Sequence, residues 1–111
     1  LYISTCPNHG AQFDQEGNVI QSASFDNQDP TLALKQYTAT INEDNTVTIY
    51  GDDETEYILD INIDIGDIYH TESNEIDNKG LLLYRKNENE IFVLSRSCGH
   101  QGFTIDPFEE I

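Results

Sequence analysis

Short runs of β-branched and aromatic residues, each closed off by a cluster of turn formers, leave this chain little alternative to pairing strands. Residues 37–41 (Tyr-Thr-Ala-Thr-Ile) and 46–50 (Thr-Val-Thr-Ile-Tyr) flank the tetrad Asn42-Glu43-Asp44-Asn45, which predicts a hairpin. Leu81–Arg85 and Ile91–Ser95 flank 86–90, where Asn87 and Asn89 supply turn chemistry, and predict a second hairpin. Between the two, Ile61, Ile63 and Ile65 alternate with Asn62 and Asp64. At period two this predicts a further strand with three isoleucines on one buried face. Only 31–36 has a helical pattern, two turns at most. Nothing repeats at a fixed period and no Pro-rich or Gly/Ser-rich linker divides the 111 residues, so the expectation is one all-β domain, a small antiparallel sandwich or barrel.

Charge narrows the function classes. With 21 acidic against 5 basic residues the net charge is -16, and a phosphate backbone is repelled over nearly the whole surface. Nucleic acid is excluded as a partner. No apolar run approaches the roughly 20 residues of a membrane span, and no basic leader or lipidation motif is present. The expectation is a soluble domain. Met is absent, which suggests a processed chain whose compartment stays open: cytoplasmic, or exported after loss of a signal. The acidity fits a highly soluble or salt-adapted surface as well as docking to a basic partner. Residues 51–56 hold four carboxylates without the ligand alternation of an EF-hand loop, and read as a solvated loop.

A domain of this size buries limited apolar surface, so a cross-link between distant segments is expected. Cys6 and Cys98 lie near opposite ends of the chain; a disulfide, free thiols and shared metal ligation are all open on count alone. Each cysteine has a histidine close by. The segments are Cys6-Pro7-Asn8-His9-Gly10-Ala11-Gln12-Phe13-Asp14 and Cys98-Gly99-His100-Gln101-Gly102. Such spacing, with Gly10, Gly99 and Gly102 for tight bends, lets thiolate and imidazole face one centre. A two-Cys, two-His donor set suits tetrahedral zinc or an iron-sulfur cluster.

The motif Cys6-Pro7-x-His9-Gly10-x-x-Phe13-Asp14 resembles the second cluster-binding loop of Rieske [2Fe-2S] proteins, and Cys98-x-His100-x-Gly102 resembles the first. The longer motif is highly specific, the shorter one weak alone. The family places the Cys-x-His loop first, whereas this chain reverses the order. Passing from Ile111 to Leu1, the gap from His100 to Cys6 is 16 residues, the hairpin-length interval of the family. The resemblance thus covers nearly the whole chain as a circular permutation of one Rieske-like domain, 1–111. Residues 1–50 resemble the family's C-terminal part, 58–111 its N-terminal part, and 51–57 a joining loop.

The resemblance implies one [2Fe-2S] cluster per chain, or one shared between swapped chains, with Cys6 and Cys98 on one iron and His9 and His100 on the other. It implies a one-electron carrier, a Rieske-type ferredoxin, serving redox partner proteins with a basic docking face. Family members of high potential carry an extra Cys in each loop and Ser and Tyr donors; those places are held here by Asn8, Phe103, Ala11 and Phe13. The implied potential is therefore in the lower part of the Rieske range of about -150 to +300 mV. The family's covering third loop corresponds to 21–30, which keeps only Pro30. Phe13, Phe103 and Phe108 are read as packing rather than an electron relay, and Arg96 and Lys35 as solitary surface cations. His70 is the one spare histidine, read as a surface residue, and cannot supply a second, mononuclear iron site. No nucleophile-base pair, phosphate loop or other cofactor fingerprint is present, so no enzyme is predicted. The alternative function is a non-redox binding module, stapled by zinc or a cluster, with an acidic interaction surface.

Overall fold

The computed structural model of the chain describes residues 2–6, 10–21, 34–52, 55–97 and 104–110. The described residues form ten strands and no helix: β1 (Tyr2–Thr5), β2 (Gln12–Asp14), β3 (Val19–Gln21), β4 (Gln36–Ile41), β5 (Val47–Tyr50), β6 (Glu56–Leu59), β7 (Ile68–His70), β8 (Leu81–Arg85), β9 (Ile91–Ser95) and β10 (Glu109–Glu110). They make two antiparallel sheets, a four-stranded one ordered β10-β1-β2-β3 and a six-stranded one ordered β6-β5-β4-β9-β8-β7. The all-β, antiparallel expectation holds.

Both predicted hairpins are present. In the first, Thr38 pairs with Tyr50 and Ile41 with Val47. Its turn is closed by Asn42 N–H donating to Thr46 O at 2.8 Å, with Asn45 in the left-handed region at φ 67°, where Asn is among the least strained residues. The Asp44 carboxylate accepts from the Thr46 hydroxyl and N–H, and these bonds hold its pKa below the ordinary value. In the second, Leu81 pairs with Ser95 and Arg85 with Ile91. Asn87 Oδ1 accepts from the Asn89 and Glu90 amides at 2.8 and 2.9 Å, an Asx turn.

Three sequence expectations are corrected. Ile61, Ile63 and Ile65 are not in a strand: Ile63 is buried, Ile61 half-buried and Ile65 53% exposed. The cause is a turn at 64–67: Asp67 N–H donates to Asp64 O at 2.9 Å, Gly66 has φ 88°, and Ile65 beside it is carried out of the alternation and into solvent. This segment links β6 and β7, the opposite edges of the six-stranded sheet, and its backbone partner is Arg85 of β8, whose carbonyl accepts the Gly66 N–H at 2.7 Å. Arg85 fixes this crossing, donating from Nη1 to Ile63 O at 2.9 Å. The second correction concerns the end of 51–57: Glu56 and Tyr57 belong to β6 and pair with Tyr50 and Ile49, and before them Gly51 N–H donates to Thr55 O. Third, Leu34 and Lys35 are not helical and Gln36 opens β4; the rest of 31–36 lies outside the described residues.

Apolar side chains collect in two clusters. Leu82 and Leu94 join Cys6, Ala11, Phe13, Leu34, Ile105 and Phe108 between the two sheets. Leu81, Leu83 and Val93 face the other way, toward Tyr37, Val47, Ile49, Leu59 and Ile63. This explains the continuous Leu81-Leu82-Leu83 run, since successive side chains of a strand point to opposite faces and here both faces are covered. Gly80 brings β8 close to the chain after β7. Its φ is +98°, and a Cβ there would strike the Thr71 carbonyl oxygen and lie 3.0 Å from the Glu72 carbonyl carbon. Backbone cannot yield as a side chain does, so Gly80→Ala is expected to cost at least about 1–3 kcal/mol, read as a lower denaturant midpoint. Gly66→Ala, with the same sign of φ but open space around it, is expected to cost less.

Candidate metal centre

The β1–β2 hairpin builds one half of the candidate site. Ser4 pairs with Phe13 and Thr5 with Gln12, and Cys6 N–H continues the ladder by donating to Ala11 O at 2.8 Å. Strand alternation then puts Ser4, Cys6, Ala11 and Phe13 on one face, and all four are buried, while Thr5, Gln12 and Asp14 are only partly so. Cys6 is a free thiol, 1% exposed. The loop beyond it closes through Gly10, which has φ 76° and donates its N–H to Cys6 O at 3.0 Å. Gly10 thus makes the bend expected of it, since a positive φ costs glycine nothing.

The second half is the loop at 98–103. Its base is fixed by an antiparallel bridge between Ser97 and Thr104 and by Ile105 N–H donating to Arg96 O at 2.7 Å. The chain leaving this loop joins the chain entering the first: Asp106 N–H donates to Thr5 O at 3.0 Å, and β10 then pairs with β1, Glu109 opposite Ile3 and Glu110 opposite Tyr2. The bases of the two loops are therefore neighbours, although Cys6 and Cys98 are 92 positions apart. Of the four expected ligands Cys6 is described; His9, Cys98 and His100 lie outside the described residues, as do Asn8, Gly99, Gly102, Phe103 and the whole of 22–30. Phe13 and Phe108 pack with Cys6 in the cluster between the sheets, as expected for packing residues. Among the described residues no three or more His, Cys, Asp or Glu side chains converge as metal ligands would, which includes the described part of the acidic 51–56 stretch. His70 is exposed on β7.

Arg96 is not the solitary surface cation expected. It is 6% exposed, and its guanidinium donates from Nε to Ile105 O at 2.9 Å, from Nη1 to Thr71 O at 2.8 Å and to the Glu72 carboxylate at 3.2 Å. A buried charge persists only when paired and hydrogen-bonded, and here the partners are the far side of the loop base and the chain after β7. Lys35 is likewise engaged, with Asp52 and over the Tyr37 ring at 5.0 Å. A second buried group that sequence patterns miss is Asp77. Its carboxylate accepts from the Tyr37 hydroxyl at 2.9 Å and from the Ser95 hydroxyl, and Ser95 Oγ in turn accepts the Ser97 N–H at 3.0 Å. Burial, the bond to Asp77, and the negative charges of Asp77 and Asp52 push the Tyr37 phenol well above its ordinary 10.0. Two polar chains thus converge on Arg96 and Ser97, the residues from which the 98–103 loop departs.

No family model, curated protein or solved structure matches the chain, and no helix among the described residues is long and apolar enough to cross a membrane.

Two outcomes follow from the polar chains. Arg96→Met keeps the bulk and strands the Ile105 and Thr71 carbonyls; the expected loss is about 2–5 kcal/mol, with faster amide exchange at Ile105 than at β8. The Tyr37 shift has a defined sign. A phenol raised in the folded state adds stability that is full below its unfolded value of 10.0 and is lost as pH rises above it. Tyr37→Phe is therefore expected to flatten the alkaline part of a stability-against-pH curve above about pH 10.

Proposed function

We propose that this protein is a one-electron carrier built on a Rieske-type [2Fe-2S] centre, with Cys6 and Cys98 as ligands of one iron and His9 and His100 of the other. The observation that carries the proposal is the Asp106-to-Thr5 backbone bond, which sets the bases of the two motif-bearing loops side by side. The motifs supply the complementary half of the argument, because one loop alone offers only one thiolate and one imidazole. The fit of the described residues is chemical as well as topological. Cys6 is a free thiol held at a closed hairpin mouth, and beside it the Ser4 hydroxyl is fully buried without a hydrogen-bond partner. A buried orphan of this kind calls for a group the apolar surroundings do not supply.

When bound, the cluster supplies a reversible one-electron couple, easier to reduce than its all-cysteine counterpart because two ligands are neutral imidazoles. The protein's own contribution is positional. Cys6 is fixed through both its N–H, which donates to Ala11 O, and its C=O, which accepts from Gly10 N–H, and it is 1% exposed in the apolar cluster with Ala11, Phe13, Ile105 and Phe108. Arg96 and the Asp77–Ser95–Ser97 chain tie down the start of the other loop, so little rearrangement need accompany electron transfer. A partner would approach a surface carrying net charge -16. Association with a basic partner is then steered electrostatically and slows as salt shortens the Debye length from about 10 Å at 0.1 M.

Iron and acid-labile sulfide analysis of the purified chain tests the proposal. Two irons and two sulfides per chain are expected, with a red-brown visible spectrum that is lost on Cys6→Ser or Cys98→Ser and a redox midpoint in the lower part of the Rieske range. A colourless protein carrying one zinc contradicts the electron-carrier reading and favours a metal-stapled binding module.

A further inference from the structure

β6 is an edge strand whose outer side is open. Among the described strands it pairs with β5 alone, and the register of that pair fixes which backbone groups are left over. Gly51 N–H donates to Thr55 O. By the alternation of an antiparallel ladder, Ile49–Tyr57 and Val47–Leu59 are then hydrogen-bonded pairs, whereas Tyr50–Glu56 and Thr48–Ile58 are not. The N–H and C=O of Glu56 and Ile58 therefore point away from β5, and no described group bonds to them. Side chains alternate in the same way: Tyr57 and Leu59 join an apolar cluster, while Glu56 and Ile58 face solvent. At 62% exposure Ile58 is the most exposed large apolar side chain among the described residues. Natural sheets blunt such edges with lysine, proline, a bulge or a very short strand. The other edge strands are short, β10 having two residues and β3 and β7 three each. β6 has four, in unbroken register and without Lys or Pro.

Charge decides what such an edge accepts. Ile58 lies in an open groove of about 660 Å³ that it shares with Asn42, Glu43, Asp44, Thr46 and Asp60, so three carboxylates line the groove and no cation does. Glu56 adds a fourth on the strand itself. A second copy of a chain with net charge -16 is repelled here, and lysine and arginine are attracted. We infer that β6 is a docking edge for an extended, basic segment of another protein, which adds to the sheet as a further strand. Its backbone bonds to Glu56 and Ile58, an apolar side chain covers Ile58, and Lys or Arg two positions to either side meets Glu56 and Asp60. Main-chain bonds supply attachment and the alternate side chains supply selectivity. The edge is separate from the candidate metal centre, since β6 stands three strands from β9, the strand that leads into the 98–103 loop. The inference is independent of whether the chain carries iron.

The probe is the capped peptide Lys-Thr-Val-Thr-Lys, titrated into the purified chain and followed by backbone NMR. Saturable binding is expected, with slower exchange of the Glu56 and Ile58 amides, no change at β3, and weakening as salt is added. The same peptide N-methylated at Lys and Val keeps its charge and side chains but loses the main-chain donors that face β6. It is expected to bind at least about tenfold more weakly, and this comparison requires no variant protein to fold. Ile58→Lys sets a cation against the peptide's own and is expected to weaken binding as much, whereas Ile20→Lys, on the exposed face of edge strand β3, is expected to leave it unchanged. Binding that survives both N-methylation and Ile58→Lys is diffuse attraction to the net charge and overturns the inference. The absence of saturable binding overturns it too. Protection of the Glu56 and Ile58 amides in the chain alone, rising with its concentration, also does so, because the occupant is then a second copy.

Discussion

One backbone hydrogen bond, from the Asp106 amide to the Thr5 carbonyl, sets the architecture of this protein around its two loops. Through it the segment leaving the six-stranded sheet becomes part of the four-stranded one, and β10 continues the contact along β1. Without that junction the β1–β2 hairpin would be a small three-stranded unit with β3, held to the rest by the apolar cluster around Phe13, Leu82 and Leu94. Isolated hairpins are marginal in water. The junction also brings Thr5 and Asp106, which flank the two cysteine-bearing segments, into contact although the cysteines are 92 positions apart.

The six-stranded sheet acts as the rigid support. β8 is covered on both faces, so its side chains have no solvated alternative, and the chain that crosses from β6 to β7 covers part of one face with Ile63. From this support two polar arms reach the loop base, one ending at Arg96 and one at Ser97. Both are buried. In a low-dielectric interior such bonds are stronger, and leaving one unmade is correspondingly costly. A base held by arms of this kind resists fraying more than a loop tied by apolar contacts alone. The close passage at Gly80 belongs to the same device, because the Gly80 carbonyl accepts the Arg96 amide at 3.0 Å.

Local chemistry was legible in the sequence wherever structure is local. The Asn42–Asn45 and Asn87 turns, the paired runs they join and the all-β class followed from turn formers and β-branched residues at short range. The Ile61, Ile63 and Ile65 alternation was misleading because the turn at 64–67 interrupts it, and Gly66, the residue whose positive φ makes that turn, stands just past the last isoleucine. The burial of Arg96 and Asp77 was not legible locally: the partners of Arg96 lie at Thr71, Glu72 and Ile105, and Asp77, besides accepting the nearby Lys79 N–H as any turn aspartate does, is held by Tyr37 and Ser95. An isolated arginine in a sequence looks the same on a surface or in a core. For the candidate site, the motifs named four ligands by residue type, of which Cys6 is among the described residues. What the sequence did not reveal is the neighbourhood of the loop bases and the unpaired Ser4 hydroxyl, both consequences of strand register.

The central claim is that imidazoles from both loops and thiolates from both loops share one centre. Nitrogen hyperfine spectroscopy on the chemically reduced protein addresses it most directly, because it counts imidazole ligands on the paramagnetic iron pair. The account predicts two strongly coupled nitrogens, one of which disappears in His9→Cys and the other in His100→Cys. A reduced iron-containing protein with no strongly coupled nitrogen, or with couplings unaffected by either substitution, would contradict it.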